Sequence, residues 1–245
     1  MVAHSRGTVR WRQGDDVRQA LDHVRRQVNG RDEGESVLEQ GVPWRPSNWE
    51  RPGLRVLQSE ILAARDISED RGDGWVLIRR LHVLELAKRG TDPLACFLAS
   101  MVWGFGDRGY GAARTERVVD PYSRDHLRVR FHEFAEAALA GPATSWDAIT
   151  SSHKVKHLGP AFGTKVTYFF AAAAHDPPSP LPLIADANTS LAMWKLCGLS
   201  RSSWRRSAYL EYVDQAHMWA ADLGCRVDEI ERALFDIGRS MSKGS

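Results

Sequence analysis

Apolar residues recur at helical spacing along most of the chain. Near the N-terminus, Val17, Leu21, Val24 and Val28 follow one another at intervals of three or four residues, which is the spacing of one helix face. Few segments alternate apolar and polar residues, so a large sheet is not expected, although a small strand pair within residues 1–60 stays open. The pattern therefore indicates a mainly α protein. Helices are predicted at about 15–28, 55–66, 75–88, 93–103, 124–140, 145–152, 163–174, 187–197, 202–223 and 227–239. A further helix is predicted to follow the glycine-rich residues 104–114 and to end at about 119.

Three segments interrupt the helical pattern. Residues 29–53 are rich in glycine, proline and charge, and residues 104–114 hold four glycines. Residues 176–182 hold four prolines and predict an extended return after a helix. The chain is accordingly predicted to consist of an N-terminal helix with an irregular segment (1–53) and a helical domain (54–245).

Positive charge is concentrated in one part of the chain. The whole sequence of 245 residues carries a formal net charge of only +2. Residues 148–210, however, contain seven lysines and arginines and two aspartates, a formal charge of +5. A locally basic face suits phosphate binding, while a chance cluster on a solvated surface is the alternative.

Composition excludes several other classes of protein. Cys96, Cys197 and Cys225 lack the paired spacing of a zinc or iron–sulfur site, so no metal is expected. The sequence shows no apolar run of membrane-spanning length and no signal-peptide core, which favours a cytoplasmic location.

Lys165 and Asp186 form the most informative pair of residues. Lys165 ends a glycine-containing turn that leads into the helix predicted at 163–174, and Asp186 directly precedes the next helix. A helix of that length spans roughly 18 Å. The proline-rich return can cover the same distance at about 3.1 Å per residue. Both side chains are therefore expected at the same end of the helix.

Helix N-termini give this pair its chemistry. Free N–H groups there favour an ionised Asp186 as N-cap and a neutral, nucleophilic amine at Lys165. Gly159 and Gly163 would let backbone amides approach a phosphate. Taken singly, however, each residue has a plain alternative, a solvated lysine in a first helical turn and a simple N-cap.

The same residues carry a family resemblance. Two segments joined by a helix resemble the helix-hairpin-helix and Gly/Pro-Asp loop of DNA glycosylases. They are Gly-Pro-Ala-Phe-Gly-Thr-Lys-Val at 159–166 and Leu-Ile-Ala-Asp-Ala-Asn at 183–188. The lysine-bearing 8-oxoguanine DNA glycosylase branch and its bacterial relatives are most similar. The match is most specific over 153–194 and weaker over 93–120 and 205–239. It implies a helix-hairpin-helix DNA glycosylase fold, with two helical lobes and the active site in the cleft between them.

The resemblance also implies roles for individual residues. Lys165 would attack C1′ of the target nucleotide, expel the base and form a Schiff base, after which β-elimination nicks the strand. Asp186 would orient the nucleophile and stabilise positive charge on the sugar. The sequence departs from the family at Ala161, where a glycine is usual, at Phe162, where the family residue is smaller, and at Asn188, where some relatives have histidine. The residues expected to contact DNA are Gly159, Pro160, Gly163, Thr164, Lys154, Lys156 and Asn188.

Two further segments are candidates for base flipping and base recognition. The glycine-rich residues 104–114 suit a mobile wedge, and the helix beyond residue 202 offers an amide and two aromatic rings on one face. The plain alternatives are a flexible helix connection and a core stripe. The expected intercalating or pocket residues are Trp103, Phe105, Tyr110, Arg114, Tyr212, Gln215 and Trp219.

The sequence thus predicts a DNA glycosylase with abasic-site lyase activity. Its expected partner is double-stranded DNA carrying a modified base, and the protein is expected to be a bacterial, nucleoid-associated monomer. No cofactor is expected, with a monovalent cation at the hairpin left open. The target is either 8-oxoguanine or, as in bacterial relatives linked to phage defence, a hypermodified base such as glucosylated hydroxymethylcytosine. The alternatives are a non-catalytic helix-hairpin-helix DNA-binding module and an unrelated helical interaction domain.

Overall fold

The fold is mainly helical, as the sequence predicts. The structure is a computed structural model that describes residues 14–30, 36–90, 92–151, 154–199 and 204–243. Its helices are α1 (Gly14–Asn29), α2 (Gln58–Asp66), α3 (Arg80–Lys88), α4 (Pro93–Phe105), α5 (Gly111–Val119), α6 (Arg124–Leu139), α7 (Pro142–Thr150), α8 (Pro160–Ala172), α9 (Ala187–Cys197), α10 (Arg206–Leu223) and α11 (Val227–Lys243). Short 3-10 helices lie at Val37–Glu39, Pro46–Trp49 and Pro52–Leu57, and the strands are β1 (Gly41–Trp44), β2 (Glu69–Gly72) and β3 (Trp75–Arg79).

The helix predicted at 75–88 is wrong in its first five residues. These residues form β3, which pairs antiparallel with β1 on one side and with β2 on the other. Val76 and Ile78 point into the core while their neighbours are half-buried, which is the period-two burial of a strand. The small sheet therefore extends beyond the first 60 residues, where a strand pair had been left open.

Contacts divide the chain into two compact units. The contiguous unit comprises residues 33–185, and the split unit comprises residues 1–32 together with 186–245. Residues 33–53, which the sequence groups with the N-terminal helix, belong by their contacts to the contiguous unit. The predicted start of a helix at 202 and the predicted end of another at 152 lie outside the described residues. None of the described helices combines the length and the apolar character that a membrane crossing needs.

Helix α4 is the centre of the contiguous unit. Eleven of its thirteen residues are buried, and it packs against α2, α3, α6 and α8. Phe97 of α4 stacks on Phe131 of α6 with 4.2 Å between the ring centroids. A helix that is apolar on all sides belongs in such a position.

Within the part of the chain that the structure describes, the split unit is a cluster of four helices. Helix α11 packs against α1, α9 and α10. Its Gly238 lies against the backbone carbonyl of Asn188, where an added Cβ would come within 1.9 Å of the oxygen. A glycine is therefore required for α9 and α11 to pack this closely.

Charged residues join α4 to α2 and α6 of the contiguous unit. Asp92 caps α4, since its Oδ1 accepts from the N–H of Leu94 at 3.0 Å. Its Oδ2 accepts from Nε and Nη2 of Arg128 at 2.9 and 2.8 Å. Burial alone would raise the pKa of Asp92, but the hydrogen bonds from Arg128 and Leu94 outweigh it, so the pKa is lowered. Nearby, the buried carboxylate of Glu60 pairs with Arg124.

Asp92→Asn should destabilise the contiguous unit at pH 7. The amide oxygen can still cap α4, but the NH2 group that replaces Oδ2 cannot accept from Arg128, so both of these bonds are lost and the cost should be about 1–2 kcal/mol. Because the pKa of Asp92 in the folded protein lies below its ordinary value of 3.8, the wild-type advantage is present above about pH 4 and disappears as the pH falls through the folded pKa. Urea unfolding of both proteins at pH 7 and in acid measures this. An equal difference at both pH values would contradict the ion-pair explanation.

Candidate active site

Helix α8 begins three residues earlier than predicted. Gly159 is its N-cap, and Pro160 occupies the first helical position, where the N–H that proline lacks would have no partner in the helix. Lys165 consequently lies in the second turn of the helix. The sequence had suggested the first turn. Pro160 has a sufficient structural role here, and its contact with DNA stays a prediction.

Lys165 is almost completely buried. Only 6% of its surface is exposed, and its Nζ donates to the carbonyl of Ala161 at 3.3 Å. The ring of Phe162 lies 5.4 Å from the same Nζ, within cation–π range. Helical side chains lean toward the N-terminus of their helix, and this one does so by a full turn. The amine is therefore held near the N-terminal end of α8.

Gly104 of α4 makes the space for this lysine. A Cβ at position 104 would lie 2.6 Å from the Phe162 ring and 3.1 Å from Cδ of Lys165. Sequence reasoning missed this role because it assigned Gly104 to a flexible connection. The available signal was the glycine itself, since glycine within an apolar helical run often marks a close approach.

Thr164 has a structural role where the sequence predicts a DNA contact. Its side chain is fully buried, donates to the carbonyl of Pro160 at 2.8 Å and accepts from the N–H of Ala185 at 3.0 Å. The hydroxyl is thus engaged within the contiguous unit. This hydrogen bond joins the residue that precedes Lys165 to the residue that precedes Asp186.

Asp186 is the N-cap of α9, as predicted. Its Oδ1 accepts from the N–H of Asn188 at 3.0 Å, and from both the N–H and the hydroxyl of Thr189 at 3.1 Å. The indole of Trp204 donates to its backbone carbonyl at 3.2 Å. The carboxylate is therefore fixed in orientation. Asn188 is half-buried, and its predicted contact with DNA stays a prediction.

The turn between α7 and α8 exposes two lysines. Lys154 and Lys156 are both exposed, and the backbone N–H of Lys156 donates to the hydroxyl of Tyr122 at 2.9 Å. This bond fixes the turn against the end of α5. The position and exposure of both side chains are compatible with the predicted phosphate contacts.

The two glycines of the turn have different surroundings. A Cβ at Gly163 would lie 2.6 Å from Cγ2 of Ile149, so Gly163 permits the close packing of α8 on α7. A Cβ at Gly159 would meet no atom of the described residues within 4 Å, and the φ of −80° there suits any residue. Internal packing thus explains Gly163 but not Gly159, where a missing side chain leaves the backbone open to a ligand.

The predicted glycine-rich wedge is shorter than expected. Helix α4 continues to Phe105 and α5 begins at Gly111, so only residues 106–110 connect them. Phe105 is buried and stacks on Phe162 with 4.1 Å between the ring centroids. In this conformation the ring is part of the core beside Lys165, and its insertion into DNA stays a prediction.

Tyr110 is the exposed aromatic residue of this connection. It is 48% exposed, and its hydroxyl accepts from Arg108 at 3.0 Å. The guanidinium of Arg114 lies 5.3 Å from the centre of its ring. Tyr110 thus presents an exposed aromatic ring with an arginine on either side, which is compatible with the predicted insertion into DNA.

Trp103 belongs to a buried cluster that the sequence did not reveal. The guanidinium of Arg80, which is fully buried, lies 5.1 Å from the ring centres of both Trp103 and Tyr168. Arg80 also donates to the side chain of Gln40 at 2.8 Å, and the indole of Trp103 donates to the Gln40 backbone at 3.1 Å. Trp103 is thus part of the core in this conformation, and its role in a base pocket or in intercalation stays a prediction.

The three candidate residues of α10 are all buried. Tyr212 and Trp219 have almost no exposed surface, and 6% of Gln215 is exposed. One turn before Gln215, burial and the neighbouring Asp214 raise the pKa of Glu211. The burial agrees with a core stripe for the two rings, and their role in base recognition stays a prediction.

Comparison with known families identifies the chain. A family described as "Putative 8-oxoguanine DNA glycosylase OGG-like protein" matches residues 35–235. The chain belongs to this family. The resemblance predicted from the turn and the aspartate is therefore confirmed, and DNA is the substrate that membership of this OGG-like glycosylase family implies. The match includes both Lys165 and Asp186 and leaves out α1. No curated protein and no solved structure matches the chain.

Gly163→Ala should destabilise the protein through the α7–α8 contact. The added Cβ clashes with the stiff, β-branched Ile149, and overpacking of this kind costs about 1–3 kcal/mol. Denaturant unfolding measures the loss. In a double-mutant cycle with Ile149→Ala, the combined loss should be smaller than the sum of the two single losses. Gly159→Ala is the matched control, since its Cβ would meet no atom of the described residues, and it should cost only the N-cap preference for glycine over alanine, about 1 kcal/mol or less. Additivity in the cycle would contradict the clash.

Proposed function

We propose that this OGG-like protein excises a damaged base from duplex DNA with Lys165 as nucleophile and then cleaves the strand as a lyase. The observation that supports this most strongly is the setting of Lys165. Its buried amine is held near the N-terminal end of α8, in a space that exists because residue 104 is glycine. A lysine that only paired with phosphates would be solvated, as Lys154 and Lys156 are.

The proposed reaction proceeds in two steps. The Nζ lone pair of Lys165 attacks C1′ while the bond from C1′ to the base breaks, and the base leaves with the bonding electrons and takes the proton that Nζ loses. The bond from C1′ to O4′ then breaks, O4′ takes a proton from water, and a protonated Schiff base remains between Nζ and C1′. Loss of a proton from C2′ then expels the 3′-phosphate, and hydrolysis of the Schiff base releases the enzyme.

Asp186 is proposed to stabilise the positive charge that develops on the sugar. Three hydrogen bonds on Oδ1 fix this carboxylate. A carboxylate that is already oriented needs no reorganisation when charge appears near it.

The surface proposed to hold the DNA consists of the turn before α8 and the connection before α5. Lys154 and Lys156 would contact phosphates, and the open backbone at Gly159 would allow a phosphate to approach its N–H groups. Tyr110 between its two arginines would fill the gap left by the flipped nucleotide. The family description favours 8-oxoguanine as the base.

Lys165→Ala should abolish covalent trapping of the protein on DNA. Borohydride reduces a Schiff base to a stable adduct, so wild-type protein should form an adduct with a duplex containing 8-oxoguanine and with a duplex containing an abasic site. Gel electrophoresis detects it. The exposed Lys88→Ala is the control and should trap as the wild type does.

The choice of duplexes separates the mechanism from the target base. Trapping on abasic DNA without excision of 8-oxoguanine would keep the lyase step and move the search to other bases, including glucosylated hydroxymethylcytosine. Absence of trapping on abasic, oxidised and phage-type modified duplexes, or undiminished trapping by Lys165→Ala, would refute the proposed nucleophile.

Asp186→Asn and Asp186→Ser should slow base release by roughly 10²–10³-fold, because each retains an N-cap and removes the carboxylate charge. Single-turnover excision and the DNA dissociation constant are measured side by side, and DNA affinity should change little. Asp92→Asn, which alters another aspartate N-cap, is the control for an effect on folding alone. Wild-type rates in Asp186→Ser would show that Asp186 is only a helix cap.

A further inference from the structure

A groove on the contiguous unit lies outside the residues proposed to act on DNA. It runs between the 3-10 helix Pro46–Trp49 and the segment formed by Pro52–Leu57 and α2, and its volume is about 280 Å³. Trp49, Leu54 and Ile61 are buried residues that line it, while Leu62 is 48% exposed at its edge. The groove therefore combines an apolar floor with an apolar side chain that faces solvent.

Two arginines give the groove a positive charge. Arg55 and Arg65 both line it and are exposed, and within the described residues no ion pair or side-chain hydrogen bond engages either of them. Arg55 lies on the 3-10 helix Pro52–Leu57, and Arg65 lies in the last turn of α2. Arg51 also lines the groove, but it is paired with Glu116. The two cations of Arg55 and Arg65 are thus available to a ligand.

We propose that this groove binds a short acidic segment of a partner protein, with an apolar side chain lying between carboxylates. The apolar residue would pack against the exposed Leu62 and the edge of Ile61, and the flanking carboxylates would pair with Arg55 and Arg65.

The lining of the groove disfavours a nucleic acid as the occupant. Proteins that bind single strands present aromatic faces on which bases stack, whereas Trp49 is only 2% exposed. Carboxylates separated by an apolar side chain match the arrangement of charge and apolar surface better than a row of phosphates does.

The test measures binding of fluorescein-labelled nine-residue peptides by fluorescence anisotropy. Each peptide has leucine, isoleucine or phenylalanine at its centre and aspartates on both sides. The double variant Arg55→Glu, Arg65→Glu should weaken binding at least about tenfold, because each attractive pair becomes a repulsive one. Leu62→Ser should weaken it by a smaller factor. The control double variant Arg71→Glu, Arg89→Glu changes the charge equally at exposed arginines outside the groove and should leave binding unchanged.

Several outcomes would overturn the proposal. No binding by any of the acidic peptides would do so, as would equal binding of peptides with lysine in place of aspartate. An equal loss in both double variants would show attraction by overall charge. Loss of DNA binding in the Arg55, Arg65 variant would assign the groove to nucleic acid, and dissociation of a dimer in sedimentation would assign it to a second copy of the chain. Excision activity of this variant should equal that of the wild type.

Discussion

The close crossing of α4 and α8 at Gly104 is the constraint on which the candidate site depends. Because residue 104 has no side chain, the ring of Phe162 and the stem of Lys165 fit against α4. Gly163 does the same on the opposite side of α8, where it meets Ile149 of α7. With both sides of the helix closely packed, the lysine is held in one place, and preorganisation of this kind lowers the cost of reaching a reactive geometry.

Each residue proposed to do chemistry is next in sequence to one that fixes the backbone. Thr164 precedes Lys165 and uses its hydroxyl to join Pro160 to Ala185, and Ala185 in turn precedes Asp186. The motif thus contains residues proposed to do chemistry and residues that fix the backbone. The sequence of the motif alone does not distinguish the two. Membership of the OGG-like family adds DNA as the substrate, and the packing explains why the motif has glycine at position 163 and threonine at position 164.

Periodicity and capping chemistry were sufficient to predict most helices and the N-cap at Asp186, because both are local properties of the chain. The prediction of helix was wrong for residues 75–79, the first part of the helix expected at 75–88, because a short apolar run fits a buried strand as well as a helix. The roles of Gly104 and Phe105 could not be predicted, since they depend on Phe162, which is nearly sixty residues away in sequence. The buried position of Arg80 could not be predicted for the same reason, because its aromatic partners come from two other helices.

The division into a contiguous and a split unit has a consequence for biosynthesis. Domains tend to fold as units while the chain emerges from the ribosome. Residues 33–185 can pack as soon as they have emerged, so the space at Gly104 that holds Lys165 can form early. Helix α1 is made first but packs against α9 and α11, which are made last. The split unit, with Asp186, must therefore wait for the end of translation, so a nascent chain would carry the nucleophile well before its carboxylate is set in place.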